Sequence, residues 1–183
     1  SLLLASYIFY ASWNWKFLPL LIASTFISYG VGQFIHKAEG KSRKLFLFIG
    51  LAANLSILFY FKYFHFLIQN LNFLFNHLGL AGQFSLLNII LPLGISFHTF
   101  QLISYMVDVY RKKIDPIDNI IHFSLFAAYF PQLIAGPLER AGHLIPKFQA
   151  VKKFTTIRWK EGIYFFIYGL FCKVVLADSM GKI

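Results

Sequence analysis

The sequence predicts an all-α fold, a bundle of membrane helices interrupted by re-entrant segments, and three observations carry that prediction. First, only 13% of the 183 residues are charged while 58% are hydrophobic, with 23 Phe and 10 Tyr. A soluble domain carries about 25% charged residues, and a mean hydropathy of +0.63 fits a chain that meets the bilayer several times. Second, the net charge of +10 is gathered in short blocks between apolar runs, notably Lys37, Lys41, Arg43 and Lys44, then Arg111, Lys112 and Lys113. Cytoplasmic loops carry charge in this way, whereas a nucleic-acid face needs a contiguous basic stripe. The expected partner is therefore the lipid bilayer and no nucleic acid. Third, the stretch "PQLIAGPLERAGHLIP" (131–146) sets three prolines, two glycines, a glutamate and an arginine directly after an apolar run.

Taken in order, the elements follow from run length, since a crossing helix needs about 20 mostly apolar residues. Leu2 to Phe9 is a short apolar run that ends at "YASWNWK", an aromatic cluster suited to the membrane interface. A second span is expected from about Phe17 to Ile35. A third runs from Leu45 to Phe61 and meets Lys62, whose stem can reach the interface. "FHFLIQNLNFLFNHLGL" continues the helical period, with Asn70, Asn72, Asn76 and His77 making it amphipathic. "AGQFS" (81–85) reads as a turn. A fourth span follows from about Leu86 to Tyr110, broken near its start by Pro92 and Gly94, and "RKKIDPIDN" places Asp115 or Asp118 to cap the next helix. That helix should run to about Phe130 and end at Pro131. In "KFQAVKKFTTIRWK" (147–160), Phe148, Val151, Phe154 and Ile157 recur every three residues between basic side chains, as in a helix lying on the cytoplasmic leaflet. A last span covers about Gly162 to Ala177. No repeat and no soluble domain is visible, so residues 1–183 read as a single membrane domain. Cys172 is the only cysteine, which excludes an intrachain disulfide.

Basic blocks at 37–44, 111–113 and 140–160 should all face the cytoplasm. The segment from 117 to 139 must then enter from that side and return to it, or pair with a second short crossing. "PQLIAGP" is the expected bend, shaped by Pro131, Gly136 and Pro137. Irregular backbone inside a membrane is tolerated only when buried in protein or lining a wet cavity.

Polar residues within spans are costly and point to function. Gln101, Tyr105 and Asp108 stand four and three apart, on one helix face, with His98 three before Gln101. Arg111 lies three after Asp108, close enough on a helix for an ion pair. Glu139 and Arg140 can pair with each other, or with Asp108 and Arg111 across the bundle. Taken alone, the residues of this helix are better explained as interhelical hydrogen bonds and an interfacial salt bridge, while Glu139 and Arg140 are equally well explained as loop charges at the interface. A histidine can serve as a general base, but a lone intramembrane one is more often a packing group. His36, His65, His77, His122 and His143 lie nearer ends or loops. No H-E-x-x-H, Cys–His cluster or paired carboxylates occur, so no metal is expected; there is no G-x-S-x-G elbow and no phosphate loop.

"LPLGISFHTFQLISYMVDVYR" (91–111) followed by "YFPQLIAGPLERAGHLIPKF" (129–148) resembles the membrane-bound O-acyltransferase family, in the bacterial branch of alginate O-acetylation proteins and their D-alanyl-teichoic-acid relatives. "LLLASYIFYASWNWKFLPLLIASTFISYGVG" at the start, "FKY" at 61–63 and "GLFCKVVLADSMGKI" at the end are similar to the same branch, so the likeness covers essentially the whole chain. It implies a ring of membrane helices in a bacterial inner membrane, crossed several times, around a thin centre where a funnel from each face meets. The implied reaction moves an acyl group, usually acetyl, from acetyl-CoA or another acyl thioester on the cytoplasmic side to a hydroxyl of an exported polysaccharide. A periplasmic acyl-relay or polysaccharide-modifying partner is the other implied receiver. No bound cofactor is implied.

On this reading Gln101, Tyr105, Asp108, Gln132, Glu139 and Arg140 line the chamber, and Pro131, Gly136 and Pro137 shape its wall. The family's catalytic histidine lies on a later, tryptophan- and arginine-rich helix that nothing here matches, and the resemblance implies that it falls beyond Ile183. No catalytic residue is therefore expected within the chain. His98 sits where relatives often carry an aromatic, so it receives no catalytic role. The chain reads as the N-terminal and central part of such an enzyme, cut at both ends and inactive by itself. The competing reading from another class is a non-catalytic transporter or flippase subunit for polysaccharide export, with the same polar face lining a substrate path. A bare membrane scaffold is the third, and it leaves the breakers in "PQLIAGPLER" without a reason.

Overall fold

A computed structural model of the chain describes residues 2–78, 90–136, 138–150 and 156–181, and all regular structure among them is helical. Two compact units divide at residue 149. The first begins with α1 (Leu2–Asn14), which stops where Asn14 turns extended and its side chain accepts a hydrogen bond from the Lys16 backbone N–H. A 3-10 turn over Trp15–Phe17 leads into α2 (Leu18–Lys37), started by a proline in its first turn, where the missing N–H costs nothing. His36 and Lys37 close α2 at its negative dipole end. Two residues later comes α3 (Gly40–Leu58), which runs through a π-helical turn (Phe59–Tyr63) into α4 (Phe64–His77). After Gly94, whose φ is +65°, the chain forms α5 (Ile95–Tyr110). Then follow α6 (Ile120–Ala128), α7 (Phe130–Ala135) and α8 (Ala141–Gln149).

Residue pairing gives the directions. Ser28 meets Asn54 and Phe34 stacks on Phe46, so α2 and α3 form an antiparallel hairpin. Ser24 meets His98, and Gly32 has no room for a Cβ because Tyr105 lies against it, so α2 and α5 run the same way. Both basic blocks therefore lie at one end of the bundle, where Arg43 reaches the last carbonyls of α5. The positive-inside pattern required this. Gln101 bonds to Phe126 and Tyr105 packs on Phe123, so α6 runs back from that basic end.

The chain then re-enters. At the far end of α5, Leu133 of α7 sits against Gly94, yet seven residues later Arg140 lies beside Asp108, near the basic end. α5 rises about 24 Å over its 16 residues, so the chain between Leu133 and Arg140 covers most of the length of that helix. The apolar stretch Ile120–Leu133 is too short to cross on its own. Residues 120–140 thus leave and return at one end of the bundle. The core beneath is built from Leu102, Tyr105, Met106, Phe123 and Phe126, all fully buried.

Several expected boundaries move. α1 extends past Phe9, and Tyr10 of the aromatic cluster is buried, its hydroxyl donating to the Leu93 carbonyl, while Trp13 and Trp15 stay exposed. α5 begins only at Ile95, because Pro92 and the left-handed Gly94 stop any earlier start; residues 86–89 and the expected turn at 81–85 lie outside the described residues. Neither Asp115 nor Asp118 caps α6. Asn119 does, its Oδ1 accepting from the N–H groups of Ile121 and His122. The helix ends at Ala128 rather than Phe130, and Pro131 opens α7 instead of closing α6. Gly136 then terminates α7 in an extended conformation, and Pro137 lies outside the described residues. The amphipathic stretch 147–160 is not one helix: α8 ends at Gln149, and residues 151–155 are outside the description.

In the second unit, α9 (Thr156–Phe171) continues through a π-helical turn (Cys172–Ala177) into α10 (Asp178–Met180). From Gly162 to Phe171 its sequence carries no charged residue, and Tyr164, Phe165 and Phe166 are all more than 60% exposed, as a lipid-facing helix requires. Description stops at Gly181, so Ile183, past which the resemblance places the catalytic histidine, lies outside the described residues. Among the described residues, Leu2–Lys37, Gly40–His77 and Trp159–Met180 are long and apolar enough to cross a membrane.

Candidate functional site

The polar face of α5 divides into a sealed part and an open part. In the sealed part, His98 Nδ1 lies 3.1 Å from the Ala127 carbonyl and Nε2 lies 2.8 Å from Ser24 Oγ. A carbonyl only accepts, so Nδ1 carries the proton; in the neutral ring Nε2 then accepts from the serine hydroxyl. Gln101 Nε2 donates to the Phe126 carbonyl at 2.9 Å, a group that Tyr129's break leaves without a helical partner further along the chain. Tyr105 Oη accepts from the Ile117 N–H at 3.3 Å. His98, Gln101 and Tyr105 are all at most 5% exposed. They tie α2, α5 and α6 together, and beside Ser24, His98 and Thr99 lies a cavity of about 10 Å³, the size of one water.

In the open part, Asp108, Lys113, Ile114, Leu138, Glu139, Arg140, Gly142 and His143 line a cleft of about 440 Å³. The Asp108 side chain is nearly buried, yet its partner Arg140 is 65% exposed and 3.8 Å away. Glu139 lies 3.8 Å from His143. Pairs at this distance with one largely exposed partner contribute about 0–1 kcal/mol.

Of the six residues expected to line a chamber, Asp108, Glu139 and Arg140 share this cleft. Gln101 and Tyr105 lie in helix interfaces, and Gln132 is buried on α7. The expected Asp108–Arg111 pair does not form: α5 ends at Tyr110, and Arg111 follows the turn outward, while the re-entrant segment brings Arg140 instead. Among the described residues no group of three or more His, Cys, Asp or Glu comes together to hold a metal ion.

Sequence reasoning missed Arg43, counted only as a loop charge. Its Nη2 donates to the carbonyls of Val109 (2.8 Å) and Tyr110 (2.7 Å), and its guanidinium lies 5.5 Å from the centre of the Tyr110 ring. Hydrogen bonds to a charged group contribute about 1.5–3 kcal/mol. The turn it closes is a Schellman motif: Lys113 N–H bonds to the Asp108 carbonyl and Lys112 N–H to that of Val109, with Lys112 left-handed at φ +56°. Nothing in the sequence marks which of four basic residues would do this.

No family model matches the chain, and no solved structure matches it. Curated relatives do. The chain is 39% identical over 184 aligned residues to a probable alginate O-acetylase of Pseudomonas aeruginosa, covering all of the chain and 35% of the relative. A probable alginate O-acetylase of Azotobacter vinelandii matches at 39%, again over the whole chain and 36% of the relative. A peptidoglycan O-acetyltransferase of Helicobacter pylori is 35% identical over 206 residues, 97% of the chain and 38% of the relative. The chain therefore spans a little over a third of the length of these relatives. With apolar helices of crossing length, this membrane protein is similar along its whole extent to O-acetylating enzymes, the same direction in which its motifs at 91–111 and 129–148 resemble the membrane-bound O-acyltransferase family.

Proposed function

We propose that the chain forms the wall of an acyl-transfer chamber in a multi-pass enzyme of the bacterial inner membrane. There an acetyl or related acyl group leaves a thioester donor, acetyl-CoA or an equivalent, on the cytoplasmic side. The receiver is a hydroxyl of an exported polysaccharide, directly or through a periplasmic relay partner. The observation that carries this reading is the likeness, over the same stretch, to relatives named for two different polymers, alginate and peptidoglycan. A region common to both supports the chemistry they share rather than recognition of either polymer. Names of O-acetylating enzymes also favour this reading over the transporter subunit.

The chemistry asked of such a chamber is that a hydroxyl oxygen attacks the thioester carbonyl, a base takes its proton, and the thiolate departs. On the family reading that base is the histidine expected beyond Ile183, so this chain contributes the surroundings of the reacting atoms. Charge develops on the carbonyl oxygen, and preorganised donors in a water-poor site stabilise it. In this chain the cleft around Asp108, Glu139 and Arg140 sits at the basic, cytoplasmic end, where the donor arrives. Arg140, held loosely by Asp108, keeps guanidinium donors available there. The test is Asp108→Ala and Glu139→Ala in the complete gene product. Each should lower acetylated polymer at least about tenfold, a loss of about 1.4 kcal/mol in transition-state stabilisation, while membrane levels stay unchanged. Normal acetylation in both variants removes the two carboxylates from the mechanism.

A further inference from the structure

We propose that Arg43 is a positioning residue for the cleft, a role that rests on the chamber reading above. The last carbonyls of α5 each take a separate partner. The Val107 carbonyl receives the Arg111 N–H, Asp108 receives Lys113, and Val109 receives Lys112. Tyr110 is left over, and Arg43 supplies its partner while sharing the Val109 carbonyl. The side chain comes from the first turn of α3, across the two-residue link from α2. Its Nε is buried with no hydrogen-bond partner, so the guanidinium is held for its two carbonyl bonds and its stacking on Tyr110, at the expense of a donor. That is a poor arrangement for a residue serving only as a leaflet contact.

What the clamp fixes is the turn from Asp108 to Lys113, and both of those residues line the cleft together with Ile114. Lys112 is held in a left-handed conformation that a lysine adopts reluctantly, so the turn needs an outside restraint. With the guanidinium gone, the Tyr110 carbonyl turns toward another donor and the turn relaxes. Asp108 then no longer faces Arg140 at the observed distance. A lysine in its place offers a point charge without the planar fork.

The test uses the complete gene product in a cysteine-free background carrying Ile114→Cys. This partly buried cleft position, packed near Gly142, should react slowly with a membrane-permeant maleimide. Adding Arg43→Ala should speed the reaction about tenfold, and Arg43→Ala in the protein that keeps Ile114 should lower polymer acetylation by a similar factor, as small misplacements in a reacting site do. Arg43→Lys should fall between. Should Arg43→Ala fail to accumulate, the Arg43→Lys pair decides by the same two readings. An unchanged maleimide rate overturns the proposal, and so does a faster rate with undiminished acetylation. If the unsubstituted protein itself acetylates no polymer, the chamber reading fails instead, and the maleimide rates still report whether Arg43 holds the turn.

Discussion

At its N-terminal end α5 starts from a left-handed glycine packed against the carbonyl of Leu133; at its C-terminal end it closes on a left-handed lysine exposed to solvent. The first end is closely packed, and polar groups near it pair inside the bundle: His98 with Ser24 and Ala127, Gln101 with Phe126. The second end is a wet cleft where Asp108, Glu139 and Arg140 pair loosely. One helix thus carries both kinds of intramembrane polarity. Where every donor meets an acceptor at hydrogen-bond distance inside packed helices, polarity specifies the fold. Where charges are half-satisfied around open volume, the packing does not account for it, and it is there that the proposed chemistry is placed.

The largest effect that would break this comparison is at the sealed end. Gly94→Val puts a branched side chain at φ +65° and drives its Cβ into the α7 backbone. The strain should cost at least about 3 kcal/mol, lowering the melting temperature in detergent by roughly 6–12 °C or removing the protein from the membrane fraction. A variant that melts like the parent shows that the two broken segments do not pack together. A smaller effect sharpens the division. His98→Ala strands the Ala127 carbonyl and leaves a void, at about 2–4 kcal/mol. Acetylation per folded molecule should nevertheless hold, because His98 is not among the residues lining the cleft around Asp108. A melting temperature that barely moves with acetylation abolished would place His98 in the chemistry and erase the distinction between the two ends.

Much of the sealed region was legible in the sequence. The spacing of His98, Gln101, Tyr105 and Asp108 puts them on one face of α5, and the basic blocks at 37–44 and 111–113 require a shared end. The breakers after residue 130 announce a return, because an apolar run over Ile120–Leu133 cannot cross. What the sequence hides is which partner each group takes. Arg111 stands at helical spacing from Asp108, but the helix stops one residue short of it, and Arg140, far along the chain, arrives in its place. Pro131 ends helices from the inside and starts them at the first turn, and only tertiary packing chose the second. Asn119 won the capping position from two nearby aspartates by register alone. Arg43 looked like any loop cation until the fold brought the end of α5 to it.

The smallest effect concerns the open end, and its sign matters more than its size. Lys112 holds φ +56° without a glycine's freedom, at a local cost of about 1–2 kcal/mol. Lys112→Gly removes that strain but adds about 0.5–1 kcal/mol of chain entropy to the unfolded state. The balance should stabilise the protein by less than about 1 kcal/mol, a rise of roughly 2–4 °C at most, while Lys112→Val should lower the melting temperature. If Lys112→Gly also lowers it, the lysine side chain itself contributes to the fold. The turn would then be held by its own contacts rather than by Arg43, and the two ends of α5 would be alike in being locked from within.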